Sequence, residues 1–143
     1  MCGALYLTNE QPDLHRVYEV GKEGLAALSG QDGEMTEALR RIQLLHADFR
    51  GFLETAAPNS FDVIYFDPMF RYPVKRKENS MEGFRSAAVY DPLTEDVLQF
   101  AMRAARKKVI VKERPFSALF RTGLFTEIHG KRGQTTAYGV IKL

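Results

Sequence analysis

The sequence predicts an α/β domain: a mostly parallel β-sheet covered by helices on both faces and closed by an antiparallel C-terminal hairpin. Three observations predict it. Short β-rich apolar runs alternate with helical patterns between residues 16 and 113. Two last β-rich runs, LFTEIHG and TTAYGVIKL, are joined by the turn GKRGQ. Acids also stand at or near three expected strand ends (Glu19, Asp48 and Asp67), where sheets of this kind collect their ligands.

The elements follow in chain order. RVYEV (residues 16–20) predicts a short strand, and GKEGLAALSG (21–30) a helix bracketed by glycines. In GEMTEALRRI, Met35, Ala38, Leu39 and Ile42 recur at helical spacing. IQLLHAD (42–48) predicts a second strand, and FRGFLETAAP a short helix ended by Pro58. SFDVIYFD (60–67) predicts a third strand, apolar on both faces toward its end, as strands covered on both sides tend to be. An irregular basic stretch, residues 71–90, comes next. DPLTEDVLQFAMRAARKK then gives the clearest helical pattern, with Pro92 in its first turn, Glu95 and Asp96 near its start and Arg103, Arg106, Lys107 and Lys108 near its end. That charge order suits the helix dipole. KKVIVKE (107–113) predicts a fourth, buried strand.

Composition narrows the function classes. The chain has 143 residues, 45% hydrophobic and 27% charged, which predicts one domain spanning 1–143 with a true core and excludes a disordered chain. A net charge of +2 is too small to argue for nucleic acid by itself, so any such argument must come from where the charge sits. The one cysteine, Cys2, leaves no internal disulfide and suits a reducing cytoplasm. The sequence has neither an apolar run of membrane-spanning length nor the profile of a signal peptide, so the expectation is a soluble, cytoplasmic protein. The three histidines are scattered, which gives no metal-ligand pattern.

Each acid has two readings. Glu19, at the end of the first expected strand, suits the ribose hydroxyls of a nucleotide cofactor or caps the following helix. Asp48 suits an adenine amino group with Phe49 packed on the ring, or serves as the N-cap of FRGFLE. Asp67-Pro68-Met69-Phe70 is more specific. Pro68 fixes φ and removes a donor, so it ends the strand and leaves the Asp67 carboxylate and nearby carbonyls as a cluster of acceptors. Phe70 adds an aromatic face beside them. Acceptors with a stacking face match a base that carries an exocyclic amino group. A plain Asp-Pro turn explains the proline but not the exposed Met69 and Phe70.

DPMF after an apolar strand resembles the Asn/Asp-Pro-Pro-Tyr/Phe motif of class I S-adenosylmethionine-dependent methyltransferases. Together with RRIQLLHADFRGFLE, ARKKVIVKERP and AYGVIKL, it is most similar to the small-subunit ribosomal RNA (guanine-N2)-methyltransferase family, from Val17 to the end of the chain. The resemblance implies a Rossmann-like methyltransferase sheet with S-adenosyl-L-methionine as cofactor. It further implies that Glu19 holds the cofactor's ribose, Asp48 and Phe49 its adenine, and Asp67, Pro68, Met69 and Phe70 the target base. Arg71, Lys75, Arg76, Lys77 and Arg85 would contact phosphates of ribosomal RNA or the small ribosomal subunit; their other reading is a solvated loop.

The sequence departs from the family in one place. The family's glycine-rich cofactor loop and its strand precede the ribose-binding acid, whereas residues 1–16 offer only Gly3. CGALYL is either the remnant of that loop, with Gly3 at the cofactor, or a short replacement strand. The expectation is a first strand and glycine loop that are missing or vestigial, with an exposed sheet edge open to a homo-oligomeric partner. The function expected is methyl transfer to an exocyclic amino group of guanine in ribosomal RNA. The rivals are a non-catalytic domain binding RNA or a partner, and an amino-methyltransferase acting on DNA adenine or a small amine.

Overall fold

The computed structural model describes residues 4–8, 12–28, 33–68, 93–131 and 133–143, with side chains from residue 18 onward except that of Met35. The described residues up to Phe52 form one compact unit and those from Leu53 onward a second.

In the first unit, strand β1 (Ala4–Thr8) runs parallel to β2 (Ile42–His46), with Ala4 opposite Ile42 and Thr8 opposite His46. Helices α1 (Pro12–Leu28) and α2 (Glu34–Leu39) connect them. The strand expected at RVYEV is therefore corrected: residues 16–20 lie inside α1. Five residues of local alternation are outweighed by a longer pattern, because Leu14, Val17, Tyr18, Gly21 and Leu25 recur at helical spacing and Pro12 takes the first helical position. Tyr18, Gly21 and Leu25 are half-buried on one side. A Cβ at Gly21 would sit 3.3 Å from Leu44 Cδ1, so the glycine allows α1 to approach β2 closely. Of the two readings of CGALYL, Ala4–Thr8 forms a strand; Gly3 lies outside the described residues.

Helix α3 (Phe49–Thr55) leads into the second unit. There β3 (Phe61–Phe66), β4 (Ala105–Glu113), β5 (Glu127–His129) and β6 (Ala137–Lys142) form a sheet in the order β3-β4-β6-β5. β3 and β4 are parallel, while β6 is antiparallel to both β4 and β5. Helix α4 (Glu95–Ala104) packs on β4. Its inner face, Val97, Leu98, Ala101 and Ala104, is at most 1% exposed, as are Val109 and Val111 of β4. Gly139 of β6 has no room for a side chain: an added Cβ would meet the rings of Phe125 and Phe120 at 2.4 and 2.6 Å. Those two rings pack edge to face, 5.1 Å between centroids.

Two further expectations change here. The helix over residues 91–108 is shorter, since Ala105 is already extended and Arg106, Lys107 and Lys108 belong to β4. Only Arg103 stays in the last turn. It serves the end of a different helix, its Nη2 donating to the carbonyls of Leu53 (3.0 Å), Glu54 (2.6 Å) and Ala56 (3.3 Å) at the C-terminus of α3. β3 is not covered on both faces: Val63 and Tyr65 are 43% and 51% exposed. The covered face of this sheet is the one carrying Val109, Val111, Ala137, Gly139 and Ile141. The opposite face carries Tyr65, Ile110, Lys112, Tyr138 and Val140, none of them fully buried.

Candidate active site

The carboxyl end of β3 delivers Asp67, and Pro68 follows at once. In the parallel ladder Phe66 lies opposite Val111, so the next step sets Asp67 beside Lys112 of β4. Lys112 Nζ lies 2.8 Å from Asp67 Oδ1 and 3.1 Å from Oδ2. The hydrogen bond to Asp67 holds the Lys112 ammonium above its ordinary pKa, against the opposing effect of burial. Tyr65, two residues before Asp67, is also raised, first by burial and then by the negative charge of Asp67. Tyr138 stands directly opposite Lys112 on β6. The sequence pattern singled out Asp67 and Pro68 but not Lys112, Tyr65 or Tyr138. The available signal was one cation inside the otherwise apolar run VIVKE, which only the β3–β4 register ties to Asp67.

In the first unit, Asp48 follows β2 and precedes α3. Its Oδ2 accepts from the Gly51 N–H at 2.7 Å, and its carbonyl from the Phe52 N–H at 3.0 Å, so it is the N-cap of α3. Its Oδ1 has no hydrogen bond among the described residues. Phe49, the first residue of α3, is half-buried beside it. Replacing Asp48 with alanine is expected to cost about 1 kcal/mol in urea unfolding, while Asp48→Asn, which keeps the capping oxygen, stays within a few tenths. Glu19 is not at a strand end as expected; it is half-buried in α1. At β2's last ladder position, Tyr18 stacks on His46 with 5.8 Å between ring centroids. A groove of about 360 Å³ between α1 and β2, bordered by Lys22, Leu25 and Leu44, runs along the strand's flank and includes none of these acids.

The structure thus brings Asp48 and Phe49 to one corner and Asp67 and Pro68 to another. Met69, Phe70, Arg71, Lys75, Arg76, Lys77 and Arg85 lie outside the described residues. Among the described residues no cluster of three or more His, Cys, Asp or Glu side chains is placed to hold a metal ion. No described helix is long and apolar enough to cross a membrane.

Comparison with known proteins decides the family. The family model described as "Putative SAM-dependent methyltransferase" matches residues 18–135, most of the chain. The chain belongs to this SAM-dependent methyltransferase family. The cofactor of this family is S-adenosylmethionine. The methyltransferase chain is 33% identical over 128 residues to the "Uncharacterized protein YpiP" of Bacillus subtilis (strain 168), which covers 90% of this chain and 49% of that protein. It is 31% identical over 138 residues to a protein named "Ribosomal RNA small subunit methyltransferase J" from Cellvibrio japonicus (strain Ueda107), covering 89% of this chain and 51% of the relative. A protein of the same name from Hydrogenovibrio crunogenus (strain DSM 25203 / XCL-2) is 35% identical over 103 residues, 69% of this chain and 36% of that one. The methyltransferase chain therefore spans about half the length of the first two of these relatives.

The residues present fit one end of the cofactor. At the β2–α3 corner, one Asp48 carboxylate oxygen has no hydrogen bond among the described residues, which suits an N–H donor such as the adenine amino group, and the aromatic Phe49 follows it in the chain. At the ribose the fit is weaker, since Glu19 sits within a helix and not at the strand end on which that role was based.

Proposed function

We propose that the chain catalyses S-adenosylmethionine-dependent methylation of an exocyclic amino group on a base, and that the base is guanine in ribosomal RNA. The observation that carries this reading is the Asp67–Pro68 corner at the carboxyl end of β3, in a chain of a methyltransferase family. The names of two relatives as small-subunit ribosomal RNA methyltransferases favour ribosomal RNA as the substrate, and the choice of guanine rests on the Asp-Pro-Met-Phe resemblance.

When bound, S-adenosylmethionine supplies an electrophilic methyl group on its sulfonium. The chain's own part is binding and alignment. Asp48 and Phe49 hold the adenine. Asp67 and the Pro68 carbonyl accept hydrogen bonds from the target amino group and so orient the nitrogen lone pair. Phe70 would stack on the flipped base, with Met69 part of the same base-binding motif. The acceleration comes from alignment and exclusion of water, with no strong base required. Arg71, Lys75, Arg76, Lys77 and Arg85 contact phosphates, which makes binding weaken as salt rises.

The test is tritium transfer from labelled cofactor, offered purified small ribosomal subunits and DNA in parallel. Label in the ribosomal RNA supports the reading. Label in DNA instead supports an amino-methyltransferase of different substrate, and cofactor binding without any transfer supports a non-catalytic domain.

A further inference from the structure

We propose that Lys112 is a positioning residue for Asp67: its ammonium group holds the carboxylate in one plane, so that the remaining lone pairs face the amino group to be methylated. This assignment rests on the reading of Asp67 as the acceptor for that amino group.

The geometry comes first. The ammonium contacts both carboxylate oxygens, at 2.8 and 3.1 Å, and so restrains rotation about the bond that carries the carboxylate. A carboxylate has roughly four acceptor positions, so a cation using one on each oxygen leaves room for an incoming N–H. Lys112 is itself fixed by the sheet. It sits in the middle strand between β3 and β6, beside Asp67 on one side and opposite Tyr138 on the other.

Magnitudes argue against a role in stability alone. Asp67 is 49% exposed, and ion pairs this open contribute about 0–1 kcal/mol. Other cations paired across this sheet among the described residues, Arg106 and Lys107 with Asp62 and Lys142 with Glu127, stand at the open surface with side chains 59% to 62% exposed. Lys112 is 28% exposed. A lysine gives up hydration to lie that deep, although its four-carbon stem would let the ammonium reach water. The return is a single defined partner at the end of the strand where the reactive corner lies.

The experiment is a double-mutant cycle on the full chain, read as methyl transfer with kcat and KM separated. Lys112→Met is expected to lower kcat about tenfold, the value of one well-aligned charged hydrogen bond, and to leave cofactor affinity unchanged. Lys112→Arg, which can still span both oxygens, is expected to recover most of the rate. In the Asp67→Asn background, Lys112→Met is expected to add nothing, since its effect passes through the carboxylate. Thermal unfolding of each variant identifies any loss caused by misfolding, and the arginine variant then supplies the comparison. An unchanged kcat in folded Lys112→Met overturns the assignment, as does a purely multiplicative double mutant. A raised KM for RNA with kcat intact also overturns it, because that marks a phosphate contact. Should the wild-type chain transfer no methyl group at all, the reading of Asp67 fails and Lys112's role falls with it.

Discussion

Asp67→Ala is expected to reduce methyl transfer by about 10²-fold or more, with little change in cofactor affinity, because misplacing a reacting atom by about 1 Å costs that much. The variant removes both the acceptor for the amino group and the partner of Lys112. The ammonium that Asp67 now holds above its ordinary pKa would then have no carboxylate beside it. Asp67→Asn separates two ways of using the residue. If Asp67 aligns the amino group, asparagine keeps one acceptor oxygen and retains part of the rate. If it acts as an obligatory base, asparagine is as damaging as alanine. The account predicts the first outcome, read in single-turnover transfer with saturating cofactor. Fold is not the issue in either variant: the residue is half-exposed just past the end of β3, and surface substitutions usually change stability by less than about 0.5 kcal/mol.

Leu98→Ala is expected to have the largest effect on stability, about 2–5 kcal/mol in urea unfolding. Leu98 is 0% exposed and lies at the centre of the apolar face of α4, between Val97 and Ala101. That face packs on β4, whose Val109 and Val111 are also 0% exposed. Truncation leaves a cavity in the layer that supports the middle of the sheet. With total stabilities of about 5–15 kcal/mol, the loss could take half of what is available. Gln99, the next residue along and exposed, is the control: Gln99→Ala is expected to stay within about 0.5 kcal/mol. Because β4 also carries Lys112, Leu98→Ala is expected to impair transfer only through the folded fraction.

Among the described residues from Ile42 onward, the order of elements was legible from pattern alone, although α4 ends sooner and β3 is more exposed than the pattern suggested. IQLLH, FRGFLET and FDVIYF form the elements their residues favour, and Pro68 marks where β3 stops. Upstream, local pattern and structure conflict. The five residues RVYEV favour a strand in isolation, but α1 wins because Leu14, Val17, Tyr18, Gly21 and Leu25 recur at helical spacing across its 17 residues. That correction moved Glu19 into a helix and exposed the weakest inference about the site, a role assigned from an expected strand end. Asp48 shows the opposite case. Its capping reading is realised in the Gly51 contact, while its second oxygen remains compatible with a ligand. Lys112 was illegible for a physical reason: no property of VIVKE indicates which residue lies across the ladder, and register is set by the whole sheet.

The central claim is that the Asp67 corner presents a guanine amino group for methylation. The most direct test is nucleoside analysis of small-subunit ribosomal RNA after incubation with this chain and tritiated S-adenosylmethionine. The account predicts label in guanosine methylated on its exocyclic amino group, abolished by Asp67→Ala. Label on any other atom or base, or label that survives Asp67→Ala, would contradict it.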